Sequence, residues 1–168
     1  KKKFSVSVNK KIEKFNKTIF VEGDKSISHR SLLIASQCIG ISSINNILES
    51  EDIKNTILCL KKLGVKILKK NKNYLVYGNG LGSFRKPKNN FLYAGNSGTL
   101  ARMLFSILGT QSNLKVKIVG DSSLNKRDMK RIIEPLSKIG CNFFPKNKTT
   151  LPLTIEGTSM PLAQKHFE

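Results

Sequence analysis

The sequence contains no tryptophan and only two histidines and three cysteines. Cys38, Cys59 and Cys141 are far apart, lie among apolar residues and form no CxxC pair, which predicts reduced, buried thiols. His29 and His166 have no partners at metal-ligand spacing, so we expect no structural metal site. No apolar run reaches 18 residues, and the first four residues lack the apolar core of a signal peptide. These absences predict a cytoplasmic protein without a membrane segment.

Acidic residues are also scarce, with 11 Asp and Glu against 30 Lys and Arg and a formal net charge of +19. Such a balance suits nucleic acid, an acidic surface or small substrates with several negative charges. Lysine and asparagine are spread along the whole chain, as in residues 69–73. A genome rich in A and T would produce the same composition without selection for binding any ligand. The 39% of hydrophobic residues predicts a packed core.

The first notable motif is the octet Gly23–Arg30. It lies between a β-branched stretch at 18–21, which predicts a strand, and a helix predicted over 27–39 and ended by a glycine. A helix N-terminus offers unpaired N–H groups and a partial positive charge, which together hold phosphate or carboxylate. Lys25, Arg30 and two serine hydroxyls add donors, so the octet predicts an anion site. A capped helix start with solvated charges would leave the same pattern.

A second stretch, Gly95–Arg102, repeats this design. The apolar residues 91–94 precede a turn of small residues, and a helix follows. Its glycines allow close backbone approach and unusual φ/ψ angles, and Arg102 falls where Arg30 falls in the first copy, six residues after Asn96 and Asp24. Two anion-binding helix starts in one chain predict a substrate with more than one anionic group.

The third stretch, Gly120–Arg127, lies between a strand and a helix predicted to begin near Asp128. Lys126 and Arg127 would then stand at the helix start, where cations oppose the dipole. A bound anion would relieve that conflict, although two solvated basic residues in a loop would look the same.

The order of predicted elements repeats with a period near 75 residues. Gly64 and Gly140, each closing a helix, are 76 residues apart, and Gly78 and Gly157 are 79 apart. Each unit reads βαβαββ, which indicates duplicated subdomains of α/β class rather than a solenoid. The other elements expected are strands at 4–8, 41–47 and 114–119, a helix opened by the cap and acids of 50–52, and hairpins of 65–68 with 74–77 and of 141–144 with 151–155.

Taken together, the three stretches resemble the EPSP synthase (enolpyruvylshikimate-phosphate synthase) family. Order, spacing and content agree across nearly the whole chain, and one departure is Asp128, where many members have proline. The matching residues are Gly23–Arg30, Gly95–Thr99 with Arg102, Gly120–Leu124 with Lys126–Arg127, Glu134–Leu136 and Ile139–Gly140.

The resemblance implies a fold of two domains, each made of three βαβαββ units in an inside-out α/β barrel. Residues 1–20 would be opening strands that belong to the other domain. Residues 21–84 and 85–157 would be the first and second units, and 158–168 would begin a third. Family chains are more than twice this long, so the family's catalytic Asp and Glu would lie outside these 168 residues.

The family transfers the enolpyruvyl group of phosphoenolpyruvate to the 5-hydroxyl of shikimate 3-phosphate, without metal or organic cofactor, and glyphosate competes with phosphoenolpyruvate. The resemblance implies a full-length monomer that binds these two small molecules and neither nucleic acid nor membrane. It implies that Lys25, as the catalytic residue, contacts both substrates, that Ser26 and Arg30 hold shikimate 3-phosphate, and that Asn96, Gly98, Thr99, Arg102 and Arg127 form the phosphoenolpyruvate pocket.

Two alternatives remain at this stage. The sister family, UDP-N-acetylglucosamine enolpyruvyl transferase, shares the fold and the phosphoenolpyruvate chemistry, but it has a different first loop and a catalytic cysteine loop. No cysteine here lies in a polar, glycine-rich loop. A basic nucleic-acid-binding module would suit the net charge, but only 7% of the residues are aromatic and no RNA-binding aromatic motif or zinc-finger spacing is present.

Overall fold

A computed structural model describes residues 5–9, 14, 16–112 and 114–161. Four α-helices, one short 3₁₀ helix and seven strands lie in these ranges. In chain order they are α1 (Lys25–Gln37), β1 (Ile39–Asn45), α2 (Glu51–Lys62), β2 (Lys66–Lys70), β3 (Asn73–Asn79), β4 (Phe91–Tyr93), α3 (Gly98–Gly109), β5 (Lys115–Val119), the 3₁₀ helix (Leu124–Lys126), α4 (Lys130–Lys138), β6 (Asn142–Phe144) and β7 (Leu153–Glu156).

The strands form two sheets. The first has the order β1-β3-β2 and is antiparallel throughout, with Ile41 opposite Tyr77. The second has the order β4-β5-β7-β6, in which β4 and β5 run parallel and the other pairs are antiparallel. Both predicted hairpins are confirmed, and the helix and strand order of the second sheet is the predicted βαβαββ.

The predicted opening strands are wrong for the residues that the structure describes. Residues 5–9 and 16–24 have no regular secondary structure, while Phe4 lies outside the described ranges. The side chains of Ile19, Phe20 and Val21 are between 75% and 96% exposed. A β-branched stretch becomes a strand only beside a partner that completes its hydrogen bonds. Among the described residues, the first sheet therefore has no strand at the position that β4 occupies in the second sheet.

Two helix starts also differ from the prediction. Helix α1 begins at Lys25 rather than Ile27, because the Asp24 side chain accepts a hydrogen bond from the Ile27 N–H at 2.7 Å and caps the helix. Gly40 does not close α1 but pairs with Gly78 inside the sheet. Ser50 is the N-cap of α2 as predicted, but its side chain makes no capping bond.

The start of α4 also differs from the prediction, by two residues. The helix begins at Lys130, because the Asp128 carboxylate accepts the Lys130 N–H at 2.9 Å and ends the preceding loop. Lys126 closes the short 3₁₀ helix, and Arg127 follows in extended conformation. The prediction that both cations stand in the first turn of this helix is therefore wrong.

Paired glycines confirm the internal repeat. Gly64 and Gly140 adopt positive φ angles of 93° and 106° directly after α2 and α4, the left-handed conformation that ends many helices. Gly78 and Gly157 press against the ends of α1 and α3. A Cβ on Gly78 would lie 2.2 Å from the carbonyl oxygen of Cys38, and one on Gly157 would lie 2.3 Å from that of Gln111.

Both sheets and all four helices share one continuous apolar core. Its largest fully buried members include Phe105, Leu32, Leu60 and Ile118, and the Phe105 and Phe143 rings meet edge to face at 5.6 Å. Within the described ranges no helix is both long and apolar enough to cross a membrane. The core fixes where the N-termini of α1 and α3 lie, which are the ends that carry the predicted anion sites.

Candidate functional site

The second and third motifs are joined through their backbones. Ser97 caps α3 by accepting the Leu100 N–H at 3.2 Å, so Gly98 is the first residue of the helix. The preceding turn requires a positive φ at Gly95, which is 59°. The carbonyl of Gly95 accepts the Asp121 N–H at 2.8 Å. The loop after β5 is therefore held beside the N-terminus of α3.

Asn96 links these two loops by its side chain. Its amide nitrogen donates to Asp121 Oδ2 at 2.7 Å, and its amide oxygen accepts from Arg127 Nη2 at 3.0 Å. The two contacts fix which way the amide faces, because an amide nitrogen cannot accept and an amide oxygen cannot donate. The Arg127 guanidinium is thereby placed at the start of α3.

Two guanidinium groups converge on Gly98. A Cβ there would lie 3.1 Å from Arg102 Nη1 and 3.5 Å from Arg127 Nη1. Arg102 Nη2 also makes a long hydrogen bond of 3.5 Å to the carbonyl of Asp128. A helix N-terminus with two guanidinium groups beside it, both able to bind an oxyanion in bidentate fashion, is suited to a phosphate or carboxylate.

The first motif is built differently. The ammonium group of Lys25, the first residue of α1, forms an ion pair with the Asp52 carboxylate in the first turn of α2. Ser28 serves the fold, since its hydroxyl donates to the Asp24 carbonyl at 2.7 Å and accepts the Leu48 N–H at 3.0 Å. Ser26 is half-buried and Arg30 is exposed.

His29 connects the first motif to the second. The ring is completely buried. Its Nδ1 lies 2.7 Å from Thr56 Oγ1 on α2, and its Nε2 lies 3.5 Å from Ser97 Oγ at the cap of α3. The helix that carries Lys25, Ser26 and Arg30 therefore packs against the turn that carries Asn96 and Gly98.

The cluster favours the charged form of one carboxylate. The Leu124 N–H, 2.7 Å from Asp121 Oδ1, and the Asn96 amide lower the pKa of Asp121, and Arg127 adds to the effect. A charged Asp121 keeps accepting from Asn96, which keeps the Asn96 oxygen turned toward Arg127. In the parts of the chain that the structure describes, no group of three or more His, Cys, Asp or Glu side chains could hold a metal ion.

Of the eight residues singled out from the sequence, the structure brings Asn96, Gly98, Arg102 and Arg127 into one cluster, with Thr99 half-buried as the second residue of α3. The proposed equivalence of Arg30 and Arg102 is wrong by one position. The caps are Asp24 and Ser97, so Arg30 follows its cap by six residues and Arg102 by five.

Sequence reasoning missed three polar side chains at this site, namely Asp52, Asp121 and Ser97. From the sequence, Asp52 is only one of the acids at a helix start. Asp121 is only a member of the third stretch. A signal existed for Ser97, because a serine three residues before an apolar helical stripe is a typical N-cap.

The fold is the mixed α/β fold of the enolpyruvyl transferases. The solved structure of EPSP synthase from Acinetobacter baumannii is 36% identical to this chain, with a TM-score of 0.77, and the match covers 83% of this chain and 32% of that one. A second structure of that enzyme, at 2.37 Å resolution, matches with the same TM-score and identity.

The chain belongs to the EPSP synthase family. The family profile, described as EPSP synthase (3-phosphoshikimate 1-carboxyvinyltransferase), matches residues 9–168. The 3-phosphoshikimate 1-carboxyvinyltransferase of Oenococcus oeni is 42% identical over 148 residues, which are 88% of this chain and 33% of that protein. That of Petrotoga mobilis is 43% identical over 157 residues, which are 91% of this chain and 36% of that protein. The chain thus spans about a third of the length of these relatives.

Proposed function

We propose that the complete protein to which these residues belong transfers the enolpyruvyl group of phosphoenolpyruvate to the 5-hydroxyl of shikimate 3-phosphate and releases phosphate. The observation that carries the proposal is the convergence of Arg102 and Arg127 on Gly98 at the N-terminus of α3, with Arg127 held by Asn96. Both substrates carry several negative charges, and this end of the helix offers N–H groups and guanidinium donors to one of them.

In this proposal Asn96, Gly98, Thr99, Arg102 and Arg127 form the phosphoenolpyruvate pocket. The N–H groups of α3 receive one anionic group, and the two guanidinium groups receive the other. They also stabilise the charge that develops in the reaction. The 5-hydroxyl oxygen of shikimate 3-phosphate gives up its proton and bonds to C2 of phosphoenolpyruvate while C3 takes up a proton. The bond from C2 to the phosphate oxygen then breaks as C3 loses a proton.

Shikimate 3-phosphate would bind on α1, where Ser26 and Arg30 present a hydroxyl and a guanidinium at the surface. Lys25 would contact both substrates, because its helix is joined to the α3 cap through His29. In the structure the partner of Lys25 is the Asp52 carboxylate. Substrate oxyanions would compete with Asp52 for the ammonium group, so Lys25 acts mainly as a positioned charge.

We further propose the following division of the chain. Residues 1–20 pair with the other domain of the complete protein, residues 21–84 and 85–157 are two units of this one, and 158–168 begin a third. The absence of regular structure at 16–24 supports the first part, because strands without their own sheet are not expected to form. The 168 residues alone would then be inactive, since the acid–base carboxylates would lie in the other domain.

The complete enzyme is proposed to be a cytoplasmic monomer that needs no cofactor and binds neither nucleic acid nor membrane. Three cysteines without disulfide partners fit a reducing compartment. The sister chemistry on UDP-N-acetylglucosamine is less favoured, because Cys59 and Cys141 are buried and Cys38 lies at the end of α1 away from Lys25.

The test is turnover by the complete protein. We expect phosphate release that requires both phosphoenolpyruvate and shikimate 3-phosphate, with the enolpyruvyl product identified by mass spectrometry. The 168-residue chain should release none. Turnover with UDP-N-acetylglucosamine in place of shikimate 3-phosphate would overturn the assignment. Tight oligonucleotide binding with a steep salt dependence, and no turnover, would favour the nucleic-acid alternative.

A further inference from the structure

His29 is a buried titratable group to which the proposed chemistry gives no task. Its side chain is 0% exposed, yet each ring nitrogen faces a hydroxyl from a different helix, Thr56 on α2 and Ser97 at the cap of α3. Each of those hydroxyls lies near a residue of the proposed site. Thr56 is one turn after Asp52, the partner of Lys25, and Ser97 stands between Asn96 and Gly98.

The hydrogen bonds around the ring favour one tautomer. The Thr56 hydroxyl donates its only proton to the Asp52 carbonyl at 3.1 Å, so toward His29 it can only accept. Nδ1 therefore carries the ring proton, and Nε2 is an acceptor. Ser97 Oγ already accepts the Leu100 N–H, and its own proton is available to Nε2. When the ring is neutral, each donor in this chain of contacts has one acceptor. A charged ring would leave one donor without an acceptor.

We propose that His29 is a positioning residue, whose neutral ring holds the start of α3 at a fixed place relative to α1 and α2. Lys25 on one side and the Asn96–Gly98 turn on the other then face the same substrate. The inference deepens the proposed function and depends on it for its kinetic consequences. It predicts that loss of the ring weakens the binding of phosphoenolpyruvate more than that of shikimate 3-phosphate. Phosphoenolpyruvate contacts both sides, whereas the contacts of shikimate 3-phosphate are on α1.

The charge environment agrees with a neutral ring. Burial lowers the pKa of His29, and the nearby charged groups act in opposite directions, Asp52 raising the pKa and Lys25 lowering it. An imidazolium would have to donate from Nε2 to Ser97, so the Ser97 proton would lose Nε2 as its acceptor. Protonation would therefore rearrange the hydrogen bonds at the cap of α3.

The test compares variants of the complete enzyme. His29→Leu removes both contacts and keeps an apolar side chain in the core. His29→Gln places an amide near the Nε2 position, whereas His29→Asn places one near Nδ1. We expect His29→Leu to raise the KM for phosphoenolpyruvate about tenfold, the scale of a lost buried hydrogen bond, with a much smaller change for shikimate 3-phosphate. His29→Gln should restore more of this loss than His29→Asn.

A matched control is Leu33→Ala, on the same helix and 4% exposed. It lowers the melting temperature and leaves the Thr56 and Ser97 contacts of the ring in place, so its two KM values should stay close to wild type. Equal changes in both KM values for His29→Leu, or a change no larger than that of Leu33→Ala at similar melting temperature, would overturn the proposal. Should His29→Leu fail to fold, Thr56→Val takes its place with the same expectation, because it removes the acceptor for Nδ1 together with the hydrogen bond to the Asp52 carbonyl.

A second readout does not depend on activity. Nitrogen chemical shifts of the His29 ring, assigned by their loss in His29→Gln, should show a protonated Nδ1 and an unprotonated Nε2 at pH 7.5. The opposite tautomer, or a charged ring, would overturn the proposal even if the enzyme is active. The expected tautomer in an enzyme that does not turn over the two substrates would refute the proposed function instead.

Discussion

Gly98 lies directly against Arg102, such that a methyl group at position 98 would be 3.1 Å from Arg102 Nη1. The positive φ angle of this turn belongs to Gly95 and not to Gly98, so Gly98→Ala introduces no backbone strain. The guanidinium is the flexible end of its side chain and can shift by a few tenths of an ångström. The variant should therefore fold with a nearly unchanged melting temperature and an altered ligand pocket.

We predict that Gly98→Ala weakens glyphosate inhibition of the complete enzyme more than it weakens phosphoenolpyruvate binding. A methyl beside the guanidinium groups shortens the pocket. Glyphosate, the longer of the two ligands, therefore loses more binding affinity than phosphoenolpyruvate. The measurement is the glyphosate inhibition constant and the phosphoenolpyruvate KM for both proteins. Shifts by the same factor, or a large fall in melting temperature, would show that Gly98 serves the turn alone.

We predict that Lys25→Ala and Arg127→Ala each cost at least about 2 kcal/mol in kcat/KM of the complete enzyme. Each removes a cation next to the proposed ligands, and each also leaves a partner without its contact, Asp52 in one case and the Asn96 oxygen in the other. Lys61→Ala, on the exposed face of α2, is the control and should cost almost nothing. Comparable losses in all three variants would indicate solvated charges rather than a site.

We predict that His29 makes the free energy of unfolding decrease as the pH falls below about 6.5. Burial lowers the folded-state pKa below the unfolded value near 6.5, so the unfolded chain binds the proton first. The ring then has no effect above pH 6.5 and destabilises the folded state progressively below it. Denaturant unfolding of wild type and His29→Gln from pH 8 to 5 tests this, and the advantage of wild type should shrink toward acid. A constant difference would contradict it.

We predict that Cys38 reacts with iodoacetamide in the native enzyme and that Cys59 does not. Cys38 is exposed at the end of α1, so the buried thiol expected there from the sequence is wrong. Burial raises the pKa of the Cys59 thiol to about 12. Because its thiolate fraction is smaller, Cys59 should react on the order of a thousandfold more slowly than a thiol of ordinary pKa. Steric protection would slow the reaction further. Peptide mapping by mass spectrometry after timed labelling at pH 8 is the measurement, and labelling in denaturant gives the full-reactivity control.

The apolar periodicity and the glycines predicted most of the fold. Leu100, Leu104 and Leu108 recur at helical spacing and form the buried face of α3. Gly64 and Gly140 end their helices as expected. The strand at 18–21 was the main error, because β-branched residues show only that a stretch can pair. Whether it does depends on a neighbour that local sequence cannot reveal.

The residues of the candidate site were predictable from the sequence, but the ion pairs and hydrogen bonds between them were not. Asn96, Gly98, Arg102 and Arg127 were singled out by motif, and they meet in the structure. The Lys25–Asp52 ion pair and the Asn96–Asp121 hydrogen bond join residues 27 and 25 positions apart, and only tertiary packing decides which charges become neighbours. The offset between Arg30 and Arg102 came from aligning the motifs on Asp24 and Asn96 instead of on the two caps.

Gly78 and Gly157 act on the site from its far side. Each lies against the last carbonyl groups of a helix whose other end carries the candidate ligand-binding residues. A helix of 12 or 13 residues is a stiff rod about 18 Å long, so a methyl at Gly157 would push α3 along its axis and move Gly98 with it. The position of each candidate ligand-binding end is therefore set by a glycine at the opposite end of its helix.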